Sequence, residues 1–96
     1  MAVYRLVRFT IDPADTGEML ATRAALVTVT RDAFPGLTEA RLSKVDDETW
    51  IDIWRWDSRA SAQAAIEAAP ALPEAGAAFS LIKDVTADFA EIVDER

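Results

Sequence analysis

The sequence feature that most constrains the fold is an aromatic-rich strand that leads directly into an alanine-rich helix. All three tryptophans of the chain, Trp50, Trp54 and Trp56, occupy even positions of the stretch from 49 to 56. Successive side chains of a strand point to opposite faces, so the three indoles share one face with Asp52. The sequence therefore predicts a sheet wall in which bulky aromatic groups surround a single carboxylate.

The segment after this strand predicts a helix of small residues. Ser58 is a suitable N-cap, because its hydroxyl can accept a hydrogen bond from a backbone N–H of the first turn. The helix is expected over 59–69, with Ile66 as its only large apolar residue and Pro70 behind it. Small side chains opposite indoles allow two interpretations. The tryptophans fill the core, or they leave room for a flat apolar ligand.

The order of elements predicts an α+β fold of the ferredoxin-like, βαββαβ type. Strands are expected over 3–11, 37–45, 49–56 and 84–93, and helices over 15–34, 59–69 and 73–82. Such a chain forms a four-stranded antiparallel sheet with its helices on one face. The strands are apolar on both faces, so the uncovered face is expected to meet a second copy of the chain. We therefore predict a homodimer, in which two sheets form an α/β-barrel.

Charge and size exclude several functional classes. The 96 residues are expected to form a single domain, spanning 1–96. A net charge of −7, with the ten basic residues scattered, argues against binding to nucleic acid or to an anionic membrane. No apolar run approaches the ~20 residues of a membrane span, and no export signal precedes the first strand. A cytoplasmic protein is the expectation.

The absence of histidine and cysteine restricts the chemistry further. The chain contains neither residue, so it has no disulfide and no Ser-His-Asp or Cys-His site. The usual haem and zinc ligands are also missing, and the three glycines are too far apart for a phosphate-binding loop. We expect no cofactor: no haem, flavin or metal. Proton transfer would depend on Asp, Glu, Tyr, Lys or solvent.

With this order of elements, the chain resembles the antibiotic biosynthesis monooxygenase (ABM) domains of the dimeric α/β-barrel superfamily. The resemblance covers nearly the whole chain. It rests on the sequence FPG at 34–36, which closes the first helix, and on IWRWDS at 53–58, which opens the second. The family includes cofactor-independent oxygenases that oxidise phenolic, polycyclic substrates to quinones. It therefore implies a cofactor-independent monooxygenase acting on a flat aromatic or polyketide-type molecule, as in antibiotic biosynthesis.

The resemblance also implies where the substrate binds. In the oxygenases, a pocket between sheet and helices is lined by a strand tryptophan and a polar side chain four residues before it. Trp56 and Asp52 match these positions, although the oxygenase pattern has an amide where this chain has a carboxylate. The helix histidine or tyrosine of many members is replaced by alanines around Ala64, and no later arginine lies near Gly76. Haem-degrading members, which use a histidine ligand, are less similar.

These arguments select four candidate site residues. Asp52 is the candidate catalytic base, and Trp54, Trp56 and Tyr4 are candidates for substrate binding. Asp52 has two alternatives: a solvated position, or a structural ion pair with an arginine of the first strand, at position 5 or 8. As a base among aromatic groups it would have a raised pKa. Tyr4 has the alternative of a tyrosine at the edge of the core. The functional alternatives to an enzyme are a non-catalytic small-molecule-binding module and a dimeric scaffold with core tryptophans.

Overall fold

The fold is a four-stranded antiparallel sheet with the helices packed on one face, as predicted. The computed structural model describes all residues, Met1–Arg96. The strands are β1 (Val3–Thr10), β2 (Leu37–Lys44), β3 (Thr49–Trp56) and β4 (Lys83–Glu91). The helices are α1 (Thr16–Ala33), α2 (Arg59–Ala68) and α3 (Pro73–Phe79), with 3-10 turns at Pro13–Asp15 and Ala69–Ala71. The last helix and the last strand are both shorter than the sequence indicated.

The sheet has the strand order β2-β3-β1-β4, and its register decides which side chains share a face. Arg5 of β1 lies opposite Trp54 of β3 and Phe89 of β4. Val7 lies opposite Asp52. The odd residues of β1 and β4 therefore point to the same side as the even residues of β3, toward the helices.

Asp15 and Glu18 have the sequence spacing of a capping box at the start of α1, but the structure does not form one. Asp15 makes no side-chain cap, and its backbone dihedrals of −92° and 4° are not the extended values of an N-cap. Its backbone N–H instead donates to the carbonyl of Asp12, at 2.8 Å, inside the 3-10 turn. Asp12 caps that turn, because its carboxylate accepts from the backbone N–H of Ala14 at 3.0 Å. The 3-10 turn that begins at Pro13 therefore places the side-chain cap at Asp12, upstream of Asp15.

Ser58 caps α2 as predicted. Its hydroxyl accepts a hydrogen bond from the backbone N–H of Ser61 at 3.1 Å. Gly36 lies against the start of this helix, and its carbonyl accepts a hydrogen bond from the backbone N–H of Asp57 at 2.9 Å. A Cβ on Gly36 would lie 2.7 Å from Asp57 Oδ1 and 2.9 Å from Ser61 Cβ. Glycine is therefore required there by close approach.

The core is small and divided, since only 14 of the 96 residues are buried. One cluster joins the end of β3 to α2 and contains Val3, Leu37, Trp56, Ala62 and Ala65. The second lies at the other end of the sheet and contains Phe9, Ile11, Met19 and Trp50. The third joins α1 to α3 and contains Leu26, Ala75 and Ala78. Trp50 is thus a core residue, and the divided core leaves space between the clusters.

The acidic carboxyl-terminal tail reads in sequence as a solvated segment, but an ion pair holds it against the sheet. Glu95 accepts hydrogen bonds of 2.8 and 2.7 Å from the guanidinium of Arg55 on β3. This pairing holds the pKa of the Glu95 carboxyl below its ordinary value and raises that of Arg55. The tail is therefore tied to the sheet face that carries no helix.

None of the helices combines the length and the apolar character that crossing a bilayer requires.

Candidate active site

A cavity of about 360 Å³ lies between the sheet and the helices. This volume is within the range of about 300–1,000 Å³ that is typical of small-molecule sites. The sheet contributes Arg5, Val7, Phe9, Asp52, Trp54, Trp56, Val85 and Ala87 to its wall. The helices contribute residues that include Met19, Thr22, Arg23, Leu26, Ala65, Ile66, Ala78 and Phe79. The walls are mostly apolar, with a few polar side chains, which is the usual character of a small-molecule pocket.

The cavity opens to solvent where large apolar side chains are exposed. Phe79 at the end of α3 is 55% exposed, Val85 on β4 is 49% exposed and Ile66 on α2 is 39% exposed. All three belong to the cavity wall. The mouth therefore presents an apolar rim to an entering ligand, between the last strand and the two shorter helices.

The polar feature of the cavity is an ion pair between helix and sheet. Arg23 of α1 donates from Nε to Oδ2 of Asp52 and from Nη2 to Oδ1, both at 2.9 Å. The side chains of Arg23 and Asp52 are only 20% and 13% exposed. Trp54 adds a third hydrogen bond, from its indole Nε1 to Oδ1 at 2.8 Å. This bidentate pairing is the strong form of an arginine–carboxylate contact.

The sequence offered Arg5 or Arg8 as the ion-pair partner of Asp52, and this prediction is wrong: the partner is Arg23. Val7 stands opposite Asp52 in the sheet, while Arg5 stands opposite Trp54. Arg8, at an even position of β1, lies on the other face. Neither side chain reaches the carboxylate, which α1 covers instead with Arg23. The solvated alternative for Asp52 is excluded, because the residue is buried.

Sequence reasoning missed Arg23, although a signal was present. Arg23 is four residues after Met19 and three before Leu26, and both neighbours are buried on the sheet side of α1. Residues at these spacings share one face of a helix. A cation in the middle of a buried stripe requires an anion, and Asp52 is the only carboxylate that lines the cavity.

The two cavity tryptophans have different roles in the packing. Trp56 is 2% exposed and packs in the cluster with Ala62 and Ala65 of α2. Trp54 is half-buried and contacts two of the three clusters. Their ring centroids are 6.5 Å apart and their planes are tilted by 33°. Trp56 therefore fills the core, and both rings also line the cavity.

Tyr4 is not part of this cavity. It lies opposite Arg55 in the register of β1 with β3, on the sheet face without helices. The structure thus brings Asp52, Trp54 and Trp56 together and leaves Tyr4 out, because adjacent residues of a strand point to opposite faces. The catalytic role of Asp52 and the binding roles of the tryptophans stay predictions.

No metal-ligating cluster accompanies the cavity. No group of three or more His, Cys, Asp or Glu residues could hold a metal ion anywhere in the chain. The acidic turn before β3 is organised by its own backbone instead. Asp46 Oδ1 accepts hydrogen bonds from the backbone N–H groups of Glu48 and Thr49, at 2.9 and 2.8 Å.

Several solved structures share this architecture. SnoaB, a cofactor-independent oxygenase from Streptomyces nogalater, superposes with a TM-score of 0.75 over 98% of this chain and 95% of its own, at 21% identity. Rv0793 from Mycobacterium tuberculosis gives a TM-score of 0.74 over 99% of this chain and 98% of its own, at 21% identity. A candidate antibiotic biosynthesis monooxygenase from Nitrosomonas europaea gives 0.78 over 96% and 90%, at 13% identity. The chain has the fold of the ABM proteins.

Similarity at the level of sequence is much weaker than similarity of fold. No protein-family model matches the sequence, and no curated protein matches it either. The ABM resemblance read from the sequence is confirmed in its fold, over almost the full length of both chains. Because one fold supports many functions, the activity must be argued from the cavity itself.

Proposed function

We propose that the protein is a cofactor-independent monooxygenase that acts on a flat aromatic or polyketide-type molecule in this cavity. The observation that carries the proposal is the apolar cavity with two indoles beside a buried arginine–carboxylate pair. The fold supports it, since SnoaB shares that fold and is a cofactor-independent oxygenase. The chain itself supplies the site with an aromatic wall, one cation–anion pair and no redox group.

The reaction proposed here needs only the substrate and dioxygen. A phenolic ring system with an activated CH₂ carbon loses a proton, and the resulting carbanion is delocalised into the phenolic oxygens. This electron-rich species reacts with O₂. One oxygen atom becomes the new quinone carbonyl, and the other leaves as water with the two hydrogens of the CH₂ group. The substrate supplies the electrons, so no external reductant is required.

Arg23 is the residue proposed to stabilise the anionic intermediate. Its guanidinium has five N–H donors, of which two are directed at Asp52. The others are available to an oxyanion in the cavity. A cation held by a bidentate ion pair does not need to reorganise as negative charge develops on the substrate. Such preorganised electrostatic stabilisation is the largest contribution in many enzymes.

Asp52 is the proposed proton acceptor, through Oδ2. Its Oδ1 accepts hydrogen bonds from both Arg23 and Trp54, whereas Oδ2 accepts only the one from Arg23 Nε. Since a carboxylate oxygen has about two lone-pair sites, Oδ2 keeps one for a substrate proton. No other carboxylate, and no Tyr or Lys, lines the cavity. General-base catalysis of this kind typically contributes about 10²–10⁴-fold.

A second candidate function is a binding module without catalysis. The observation that favours it is the same ion pair, because three hydrogen bonds occupy most of the acceptor capacity of Asp52. In that case Trp54 and Trp56 would hold a flat ligand, and the Arg23–Asp52 pair would only anchor α1 to the sheet.

Oxygen uptake and tryptophan fluorescence together distinguish the two functions. A panel of polyphenolic, polycyclic substrates is expected to give oxygen consumption with a quinone product, and Asp52→Asn should lower turnover by about 10²-fold or more. Asp32→Asn, an exposed change near the end of α1 that lies outside the cavity wall, is the matched control. Fluorescence quenching by these compounds without oxygen uptake supports the binding module. If these compounds cause neither oxygen uptake nor fluorescence quenching, both functions are excluded.

A cavity-blocking pair of variants tests whether the ligand occupies this site. Ala87 on β4 lines the cavity and is exposed, so Ala87→Phe is expected to fill the space without disrupting the core. It should abolish quenching and uptake. Ala64 on α2 is also exposed but does not line the cavity, so Ala64→Phe should leave both unchanged.

We also propose that the protein works as a homodimer. The sheet face away from the helices carries Leu6, Ile51 and Ile53, which are only half-buried in the single chain. A second copy would cover this face, and an interface of this kind is expected to bury upwards of roughly 1,200 Å². The partner surface would also compensate for the small core.

A further inference from the structure

The charges of the cavity wall do not balance. Three charged side chains line the cavity, namely Arg5, Arg23 and Asp52. Arg23 and Asp52 neutralise each other in the ion pair. Arg5 has no carboxylate within salt-bridge distance, as the five salt bridges of the chain all involve other residues. The cavity therefore keeps one uncompensated positive charge, in a protein whose net charge is −7.

Aromatic packing holds Arg5 at the wall. Its guanidinium carbon lies 4.8 Å from the ring centroid of Phe89 on β4, a cation–π distance. The guanidinium of Arg59 lies 4.8 Å from the centroid of the same ring. Neither guanidinium forms a salt bridge, so both positive charges lie uncompensated against the same ring. Arg5 is half-buried, so water screens its charge less than that of a surface arginine.

Arg5 lies close to the Arg23–Asp52 pair along the same face of the sheet. Arg5 stands opposite Trp54 in the register, and the next pair along the same face is Val7 and Asp52. Two residues along a strand correspond to about 7 Å. A ligand whose negative group pairs with Arg5 would therefore lie along Trp54 and reach the Arg23–Asp52 pair with its ring system.

We propose that the ligand is a planar aromatic carboxylate, whose carboxylate forms an ion pair with Arg5. This inference rests on the proposed function and specifies its substrate class. A guanidinium presents paired N–H donors that match the two oxygens of a carboxylate. In a mostly apolar wall, the carboxylate is recognised by charge and by geometry together. The neutral form of the same ring system loses this pairing and leaves the guanidinium without a partner.

Two probes that share one ring system, one with a negatively charged substituent and one with a neutral substituent of similar size, test the proposal. Anthraquinone-2-carboxylate and its neutral carboxamide are titrated into the wild-type protein, and quenching of tryptophan fluorescence gives the two dissociation constants. The carboxylate is expected to bind at least about tenfold more tightly, in keeping with a charge-assisted hydrogen-bonded pair. Arg5→Gln should remove this preference while the carboxamide affinity stays the same.

Arg31→Gln is the matched control. Arg31 is exposed in the last turn of α1, does not line the cavity and forms no salt bridge, and its replacement removes the same charge. This variant should keep the tenfold preference. Arg5→Lys, which retains a positive charge without the paired donors, should keep part of it.

The outcomes separate this inference from the proposed function. Equal affinities of the two probes in the wild-type protein would overturn the carboxylate proposal, even if Arg5→Gln failed to fold, and would leave the oxygenase proposal intact. A preference that persists in Arg5→Gln, or disappears in Arg31→Gln, would also overturn it. Binding of neither probe, together with no oxygen uptake on any substrate, would overturn both proposals.

Discussion

Arg23 in the middle of α1 and Asp52 in the middle of β3 are joined by two hydrogen bonds of 2.9 Å across the space between the helix and sheet layers. The residues are 29 positions apart in the chain. Their pairing binds the long helix to the sheet and shapes one wall of the cavity. It also positions the indole of Trp54, which donates to the same carboxylate. One contact therefore joins the two layers and forms the polar part of the cavity wall.

Asp52→Asn is expected to lower the free energy of unfolding by about 2 kcal/mol. Breaking a fully buried pair costs about 3–5 kcal/mol, but this pair is partly exposed, and an asparagine keeps one acceptor oxygen. Urea denaturation monitored by circular dichroism measures the change. Asp32→Asn, on the exposed side of α1, should stay within about 0.5 kcal/mol of the wild type. A similarly small effect for Asp52→Asn would refute a stabilising ion pair.

Replacing different glycines by alanine should have opposite effects. Gly36→Ala should destabilise the protein by about 1–3 kcal/mol, because the new Cβ would meet Ser61 Cβ at 2.9 Å. Gly17→Ala, inside the first turn of α1 with nothing within 4 Å, should stabilise it by up to about 1 kcal/mol. Thermal unfolding of both variants checks the two signs. An unchanged melting temperature for Gly36→Ala would show that the turn before β2 can relax.

Light scattering at micromolar concentration should give the mass of a dimer. Ile53→Glu places a charge in the middle of the sheet face without helices, so this variant is expected to be a folded monomer. Gln63→Glu introduces the same charge on the exposed side of α2 and should remain dimeric. A wild-type protein with a monomer mass would contradict the proposed assembly.

The free energy of unfolding should decrease at acid pH because two carboxylates, Asp46 and Glu95, become protonated. Backbone N–H groups of Glu48 and then Thr49 hold the pKa of Asp46 below its ordinary 3.8. The hydrogen bonds of Arg55 hold that of Glu95 below its ordinary 4.5. Each is lower in the folded state, so its contribution is complete above about pH 5 and is lost as the pH falls through the lowered value.

Variants without these charges provide the measurement. Asp46→Asn and Glu95→Gln should melt at lower temperatures than the wild type at pH 7, and the differences should disappear in strong acid. Glu67→Gln, exposed on α2 and outside every salt bridge, is the control and should show no such trend. A deficit that stays constant with pH would mean that ionisation is not its cause.

The sequence by itself determined the local structure and, through it, the fold class. Alternation of side chains defined the face of β3, and Ser58 and Pro35 marked where helices begin and end. These signals involve residues within about one helical turn or one strand pair, and local propensity is sufficient to express them. The ferredoxin-like order of elements followed from them directly. Only the terminal boundaries shifted, and the side-chain cap before α1 is Asp12, although Asp15 and Glu18 have capping-box spacing.

Only the tertiary structure decided which faces meet. Periodicity shows that Tyr4 and Arg5 lie on opposite sides of β1, but the register with β3 determines that Arg5, and not Tyr4, joins the tryptophans. The rotation of α1 over the sheet determines that Arg23 pairs with Asp52. Such long-range contacts depend on how whole elements pack together, and the amphipathic pattern of one element does not specify its partner. The aromatic wall could thus be predicted, whereas its ion pair and its uncompensated arginine could not.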